Sequence, residues 1–456
     1  MVFFLYRKVI FFIIKIKLTP TQVLALGFAA IILIGTLLLM LPVATKSGEG
    51  ADFLTALFTA TSATCVTGLV VVDTKTYWST FGQIVIMLLI QVGGLGIMTM
   101  STLFALILGR RITFKERLVM QEAFNTNSLG GIVKFAKYIL MVSFLFESIG
   151  AIILTLRFLP QMGLKKAVYY GLFHSISAFN NAGFDLMGNF RSLTGYVSDW
   201  VVNLVIMGLI IFGGLGFYVL LDIYEHRHFN KFTLHSKIVI TITLFLIAIG
   251  TLLIFLFEYN NPKTLKPLDF PTKILAALFQ AVTPRTAGFN TLSLSDMTIA
   301  SKFLTIILMF IGASPAGTGG GIKTTTFAVI LYTVLSVIKG EEETVLYKRT
   351  ISRNIVYKAV AISFISVFII FSVTMVLSIT ETSDFLTILY ETISAFGTVG
   401  LSLGLTPELT TVGRIIIIFT MYTGRVGPLT LALALAKRQR RPKPIIKYAE
   451  EKIMVG

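Results

Sequence analysis

Of 456 residues, 55% are hydrophobic and only 13% charged, against roughly a quarter charged in an ordinary soluble domain, so a water-soluble fold is excluded and a membrane is the solvent to consider. The formal charge of +17 invites a nucleic-acid partner. The basic excess, however, gathers in the termini and alternate links (1–21, 109–137, 222–237, 339–358 and 437–456), whereas acid and base balance in the intervening links. That asymmetry follows the positive-inside rule, which puts both termini in the cytoplasm; it is not the soluble basic face of a nucleic-acid binder.

The chain opens with MVFFLYRKVIFFIIKIK, cationic, apolar and without a convincing small-residue cleavage site, so residues 1–21 are expected to be a retained cytoplasmic segment along the membrane surface. Hydrophobic runs long enough to cross a bilayer, about 20 residues each, follow at 22–43, 81–108, 138–159, 200–221, 238–259, 303–330, 355–380 and 413–436. Between the two runs of each pair stands one copy of a motif the chain writes four times: LFTATSATCVTG (57–68), LFHSISAFNNAG (172–183), LFQAVTPRTAG (278–288) and LYETISAFGTVG (389–400). These stretches are too short to span and are expected to be re-entrant. The predicted fold is therefore an all-α membrane protein with eight transmembrane helices in four repeats of span, pore helix and span around a pseudo-fourfold pore. The repeats cover 22–108, 132–221, 238–338 and 355–436, and a cytoplasmic tail occupies 437–456.

Each motif copy reads as a short helix running into an extended strand. Asp52 is the expected N-cap of the first, and four helix C-termini, each carrying about half a negative charge, favour a cation where they converge. The strands Val66-Thr67-Gly68, Asn181-Ala182-Gly183, Thr286-Ala287-Gly288 and Thr398-Val399-Gly400 then offer backbone carbonyls of the kind that replace a potassium ion's hydration shell. Thr59, His174, Gln280 and Glu391 form a polar column at one position of all four helices, for which structural hydrogen bonding is the expected role. Cys65, the single cysteine, excludes an intrachain disulfide and reads as a small residue in a packed loop. Arg285 either reaches outward or fixes the backbone of the third strand.

The second runs carry glycine clusters, 93–96, 213–216 and 424–427, where helices pack closely or bend. In the third repeat the same place holds GASPAGTGGGIK: Gly312, Ala313, Ser314, Pro315, Ala316, Gly317, Thr318, Gly319, Gly320, Gly321 and, after Ile322, Lys323. No straight helix survives that composition. Broken backbone at membrane depth is tolerated only inside protein or along a watery cavity, so residues 312–321 are expected in the conduction path below the strands. GTGGGIKT imitates a phosphate-binding loop, but Ile322 stands where glycine is required and no strand leads in. Arg425, a permanent cation midway along the last run, must face water or a partner.

Together, the four units, the TVTGL- and AFGTVGL-type strands, the glycine-rich break and the TGRVGPLT stretch resemble the Ktr/Trk/HKT superfamily of potassium transporters, most nearly the membrane subunit of bacterial Ktr uptake systems. The resemblance covers nearly the whole chain. It implies that Gly68, Gly183, Gly288 and Gly400 are the filter glycines, that 312–321 is a gating loop and that Arg425 is its companion. It implies K+ as the transported ion, with a sodium dependence left open. It also implies a homodimer in the lipid bilayer resting on a ring of cytosolic, nucleotide-binding (RCK/KTN-type) regulatory subunits. The link 339–358 is a candidate docking surface for that ring, and nothing points to an enzyme. The alternative function is a secondary cation symporter with a closed midplane site at broken helices.

Overall fold

A computed structural model describes residues 19–107, 112–124 and 130–435. Most of the expected surface segment 1–21 and the tail 437–456 lie outside the described residues. The principal helices are α1 Pro20–Leu39, α2 Phe53–Thr64, α3 Thr80–Leu95, α4 Ile97–Ile107, α5 Phe114–Ala123, α6 Ile132–Phe179, α7 Trp200–Leu215, α8 Phe217–His226, α9 Leu234–Glu258, α10 Phe270–Val282, α11 Ile299–Phe310, α12 Thr324–Ile338, α13 Arg353–Thr380, α14 Phe385–Gly397, α15 Thr411–Val426 and α16 Pro428–Leu435. A two-stranded hairpin, β1 Val345–Leu346 and β2 Arg349–Thr350, lies in the link between α12 and α13.

Among the described residues, α1, α6, α9 and α13 are each long and apolar enough to cross a membrane. The second runs depart from the expectation of continuous spans. Run 81–108 bends by 103° between α3 and α4, and run 200–221 by 95° between α7 and α8. The hinges are Gly96 (φ 83°) and Gly216 (φ 91°), and Gly427 (φ 92°) separates α15 from α16 in the same way. Such dihedrals suit a residue without a Cβ, so a hydrophobic run that looks unbroken by composition is broken by one glycine. Run 303–330 is split more deeply, into α11 and α12. The second repeat differs in another respect: its short helix is the distal part of the 48-residue α6, which bends at Gly163 (φ 72°) just after Pro160.

Local chemistry sets where the helices begin. Asp52, Ser79, Asp199, Thr298, Asp384 and Thr410 each cap a helix by accepting a backbone N–H, an interaction worth about 1 kcal/mol apiece. Several caps are themselves held by the preceding span. Glu258 at the end of α9 accepts from the backbone N–H (2.8 Å) and hydroxyl (2.7 Å) of Thr298. Glu381 after α13 does the same for Thr410 (3.0 and 2.6 Å). In the second repeat Arg157 pairs with the cap Asp199 at 2.6 Å, and in the first Ser79 donates to the Val43 carbonyl at 2.6 Å. Each unit thus ties the end of its first helix to the start of its second.

Between units the packing closes a ring. Helix α3 packs on α6, α7 on α10, α11 on α14, and α15 returns to α2; the second helix of every unit leans on the short helix of the next. The hydrophobic clusters follow this plan, one joining α2, α3 and α15 and another joining α10, α11 and α14. Outward positions such as Leu37, Met141, Phe364, Phe371 and Ile379 stay exposed, as a lipid-facing surface requires.

Candidate functional site

The four motif copies meet where their short helices end, and they share one backbone plan. In each, the Ser or Thr at the sixth position offers its carbonyl to the N–H of the residue before the final glycine. These bonds run from Thr67 to Ser62, Ala182 to Ser177 and Val399 to Ser394 (all 2.8 Å), and from Ala287 to Thr283 (3.0 Å). The same side chains hold the strand beyond. Ser62 and Ser394 accept from the N–H of Gly68 and Gly400 (3.1 Å each), while Ser177 and Thr283 donate to the carbonyls of Phe184 (2.7 Å) and Phe289 (2.5 Å). These four hydroxyls were missed as site residues, although their recurrence in all four motif copies was the signal.

Two residues before each glycine the chain turns left-handed, at Val66 (φ 51°), Asn181 (φ 56°), Thr286 (φ 68°) and Thr398 (φ 51°), and the glycines follow with φ between 71° and 90°. For β-branched residues such backbone is strained, at a cost of about 1–3 kcal/mol each. The glycines permit a second constraint, close approach. A Cβ built on Gly68 would lie 2.5 Å from the carbonyl oxygen of Ala182, one on Gly183 2.9 Å from that of Ala287, and one on Gly288 2.6 Å from that of Val399; one on Gly400 would overlap the carbonyl oxygen of Thr67. First unit touches second, second touches third, third touches fourth and fourth touches first, always through the carbonyl just before the next glycine. No side chain fits anywhere in this ring.

The polar column supports the strands from behind. His174 Nε2 accepts from the Leu186 N–H at 3.2 Å, with Nδ1 2.7 Å from the Tyr170 carbonyl. Glu391 accepts from Ser402 (2.7 Å) and Thr406. Thr59 and Gln280 are buried with no hydrogen-bond partner for their side chains among the described residues, so the expected structural role holds for two of the four. Arg285 is buried, 3% exposed, and does not reach outward. Cys65 is fully buried.

On one side of the ring a cavity of about 720 Å³ is lined by all four glycines together with Asp73, Asp185 and Glu408. Burial pushes the Asp185 carboxyl up to about 6, against the lowering effect of the Met187 N–H that it accepts. The opposite side is filled by residues 312–321. This loop is pinned at its base, where Gly312 N–H bonds the Ile322 carbonyl (2.9 Å) and Ala313 N–H the Gly320 carbonyl (3.3 Å). It leans on the second unit through Ser314 N–H to Gly214 O (3.0 Å), Thr318 N–H to Gly213 O (3.1 Å), Phe217 N–H to Ala316 O (3.1 Å) and the Thr318 hydroxyl to Phe179 O (3.2 Å). Its tip lies against the strands: Gly320 N–H donates to Thr398 Oγ1 at 3.0 Å, and a Cβ on Gly319 would reach within 2.9 Å of Thr286 Cβ. Lys323 Nζ donates to the Gly319 carbonyl at 2.7 Å. Arg425 crosses from the fourth unit, donating to the Thr318 carbonyl of the loop and to the carbonyls of Gly93 and, at 3.2 Å, Gly94. Both cations are thus spent on backbone carbonyls.

The chain as a whole has counterparts among known proteins. The family model described as "TrkH: Cation transport protein" matches residues 17–444. The Ktr system potassium uptake protein B of Bacillus subtilis is 49% identical over 97% of this chain and 98% of its own. The potassium/sodium uptake protein NtpJ of Enterococcus hirae is 41% identical with the same coverage. The crystal structure of the potassium transporter TrkH from Vibrio parahaemolyticus superposes with a TM-score of 0.69 at 19% identity, covering 90% of this chain and 85% of that one, a likeness of fold. The chain is therefore a multi-pass membrane protein of the TrkH cation transport family, and not an enzyme.

Proposed function

We propose that this chain is the ion-translocating membrane subunit of a bacterial potassium uptake system. Eight spans in four repeats (22–108, 132–221, 238–338 and 355–436) surround one pore, and both termini lie in the cytoplasm. The single observation that carries the reading is the ring in which Gly68, Gly183, Gly288 and Gly400 each abut the carbonyl of the next unit. Rings of backbone carbonyls can replace the hydration shell of a potassium ion without side-chain charge. The filter is then Val66-Thr67-Gly68, Asn181-Ala182-Gly183, Thr286-Ala287-Gly288 and Thr398-Val399-Gly400, with the 720 Å³ cavity as its outer mouth. Relatives named for potassium uptake support K+ as cargo; the one named for potassium and sodium keeps a sodium dependence within the proposal.

The loop from Gly312 to Gly321, with Lys323 and Arg425, acts as the gate. A guanidinium about 8 Å from the path, at an effective dielectric near 20, would repel a passing cation by about 2 kcal/mol if nothing compensated it, roughly a thirtyfold brake, and the carbonyls that Arg425 meets lessen it. Control comes from a separate cytosolic nucleotide-binding ring, as the "system" in the relatives' names supports. The hairpin of β1 and β2, with exposed Tyr347, Lys348 and Arg349 at its turn, is its docking element, and the chain works as a homodimer.

The test is potassium uptake by a bacterium that lacks its own uptake systems, grown at low potassium with and without this chain. Gly288→Ser should weaken uptake and narrow the preference over sodium. Strictly coupled flux that survives this substitution would instead favour a symporter with a closed midplane site.

A further inference from the structure

The second unit carries a buried carboxylate that neither the filter nor the gate uses. Glu147, in the membrane-spanning part of α6, is 3% exposed, and among the described residues no Lys or Arg pairs with it. A lone carboxyl group at this depth is expensive and is tolerated only when its oxygens are satisfied. Two amides satisfy them. Gln91 Nε2 donates to both carboxylate oxygens (2.9 and 3.0 Å), and Asn180 Nδ2 donates to one of them (2.9 Å) and to Gln91 Oε1 (2.9 Å). The Glu147 carbonyl also accepts from Ser175 at 2.6 Å.

Each amide belongs to an element with its own consequence. Asn180 ends the second short helix and is followed directly by Asn181-Ala182-Gly183. Asn181 Nδ2 in turn bonds the Arg285 carbonyl (3.2 Å) and Thr286 Oγ1 (3.1 Å) of the third strand. Gln91 stands just before Gly93 and Gly94, whose carbonyls receive Arg425. Gly94 is moulded to the cluster, since a Cβ there would come within 2.6 Å of Asn180 Cγ. The positions matching Asn180 in the other copies are Cys65, Arg285 and Gly397, and none of these has a mid-span carboxylate behind it. Among the described residues, a carboxylate of this kind backs the second strand alone.

We infer that Glu147 is a positioning residue for ion selectivity: through Asn180 it sets the height and tilt of the second filter strand, and through Asn181 the contact of that strand with the third. The inference rests on the proposed filter. The Asn180 amide also reaches the Ile176 carbonyl (2.9 Å), so removing the carboxylate takes away one of its three acceptors and the group that bridges it to Gln91, which loosens the hold on the strand carrying the Ala182 carbonyl. Glu147 and Asn180 therefore act as one unit.

The experiment measures potassium uptake and potassium-over-sodium preference in proteoliposomes of the full chain for Glu147→Ala, Glu147→Gln, Asn180→Ala and the Glu147→Ala/Asn180→Ala pair, with Gly288→Ser alongside. The expected result is a five- to tenfold loss of preference in each alanine variant, no further loss in the pair, and at least half of the preference (as a logarithm) retained by Glu147→Gln, whose single oxygen still accepts from Asn180. Less protein with unchanged preference would mark Glu147 as a purely structural residue and overturn the inference, as would additive losses in the pair. If Glu147→Ala fails to insert, Glu147→Gln against Asn180→Ala decides the same point: equal preference to the unaltered chain in both overturns it. Loss of preference in Gly288→Ser but not in these variants defeats this inference alone, whereas no loss in Gly288→Ser defeats the filter reading beneath it.

Discussion

Two layers of the molecule, the glycine ring and the breaks in the second helices behind it, treat fourfold repetition in opposite ways. In the glycine ring the four units are nearly interchangeable: the same Ser or Thr carbonyl, the same left-handed turn and the same close approach recur four times. Directly beneath, they diverge. Three units break their second helix at one glycine, Gly96, Gly216 or Gly427, while the third inserts a loop pinned to the second unit, touched by two strands and bound by Arg425. A ring proposed to present equal carbonyls to a spherical ion gains from symmetry. In the proposed reading, a gate that moves as one body gains from being a single element, and the hydrogen bonds holding the loop to the second and fourth units show how asymmetry was built from a repeated plan.

The largest expected effect breaks the symmetric layer. Gly288→Ser places an atom 2.6 Å from the Val399 carbonyl oxygen on backbone at φ 79°, and should cut the potassium-over-sodium preference at least about tenfold, the equivalent of about 1.4 kcal/mol. Competitive rubidium and sodium uptake measures it, and Gly68→Ser should behave alike because the ring is continuous.

Next comes the asymmetric layer. Deleting a few residues between Ala316 and Gly320 should raise flux by a few fold and weaken its dependence on the regulatory ring, with selectivity over sodium nearly intact. Abolished uptake in folded, inserted protein would make the loop scaffold, and lost selectivity would make it filter.

A paired substitution sharpens the contrast. Gly96 has open space where a Cβ would stand, whereas a Cβ on Gly216 would overlap the Pro315 carbonyl of the loop. Gly96→Ala should therefore cost only the backbone strain of its dihedrals, about 1–3 kcal/mol, read as lower thermal stability with regulation unchanged. Gly216→Ala should add altered gating in flux assays with and without the ring.

The smallest effect lies in the outer cavity. Asp185, with a folded value near 6 and Asp73 and Lys75 as its charged neighbours, is mostly ionised at pH 7 and becomes neutral as pH falls through 6. A less negative mouth concentrates cations less, so uptake at low potassium should fall about twofold to threefold between pH 7 and 5. Asp185→Asn should flatten that part of the profile.

The sequence by itself determined the membrane class, the fourfold motif, the short helices with Asp52 as a cap, the glycine-ended strands and the failure of 312–321 to be helix. All of these follow from local composition and spacing, since hydrophobic length, glycine and proline act through the chain's own backbone. Only the tertiary structure decided what these parts touch. That Gly68 abuts Ala182 and Gly400 abuts Thr67 depends on how units far apart in sequence close a ring. That Arg425 ends on the carbonyls of Thr318, Gly93 and Gly94, and Glu147 on two amides, depends on acceptors and donors distant in sequence, whereas Lys323 ends on the Gly319 carbonyl of its own loop. Even the bends at Gly96 and Gly216 were only latent in sequence, because a glycine's permissive dihedrals allow a hinge without requiring one.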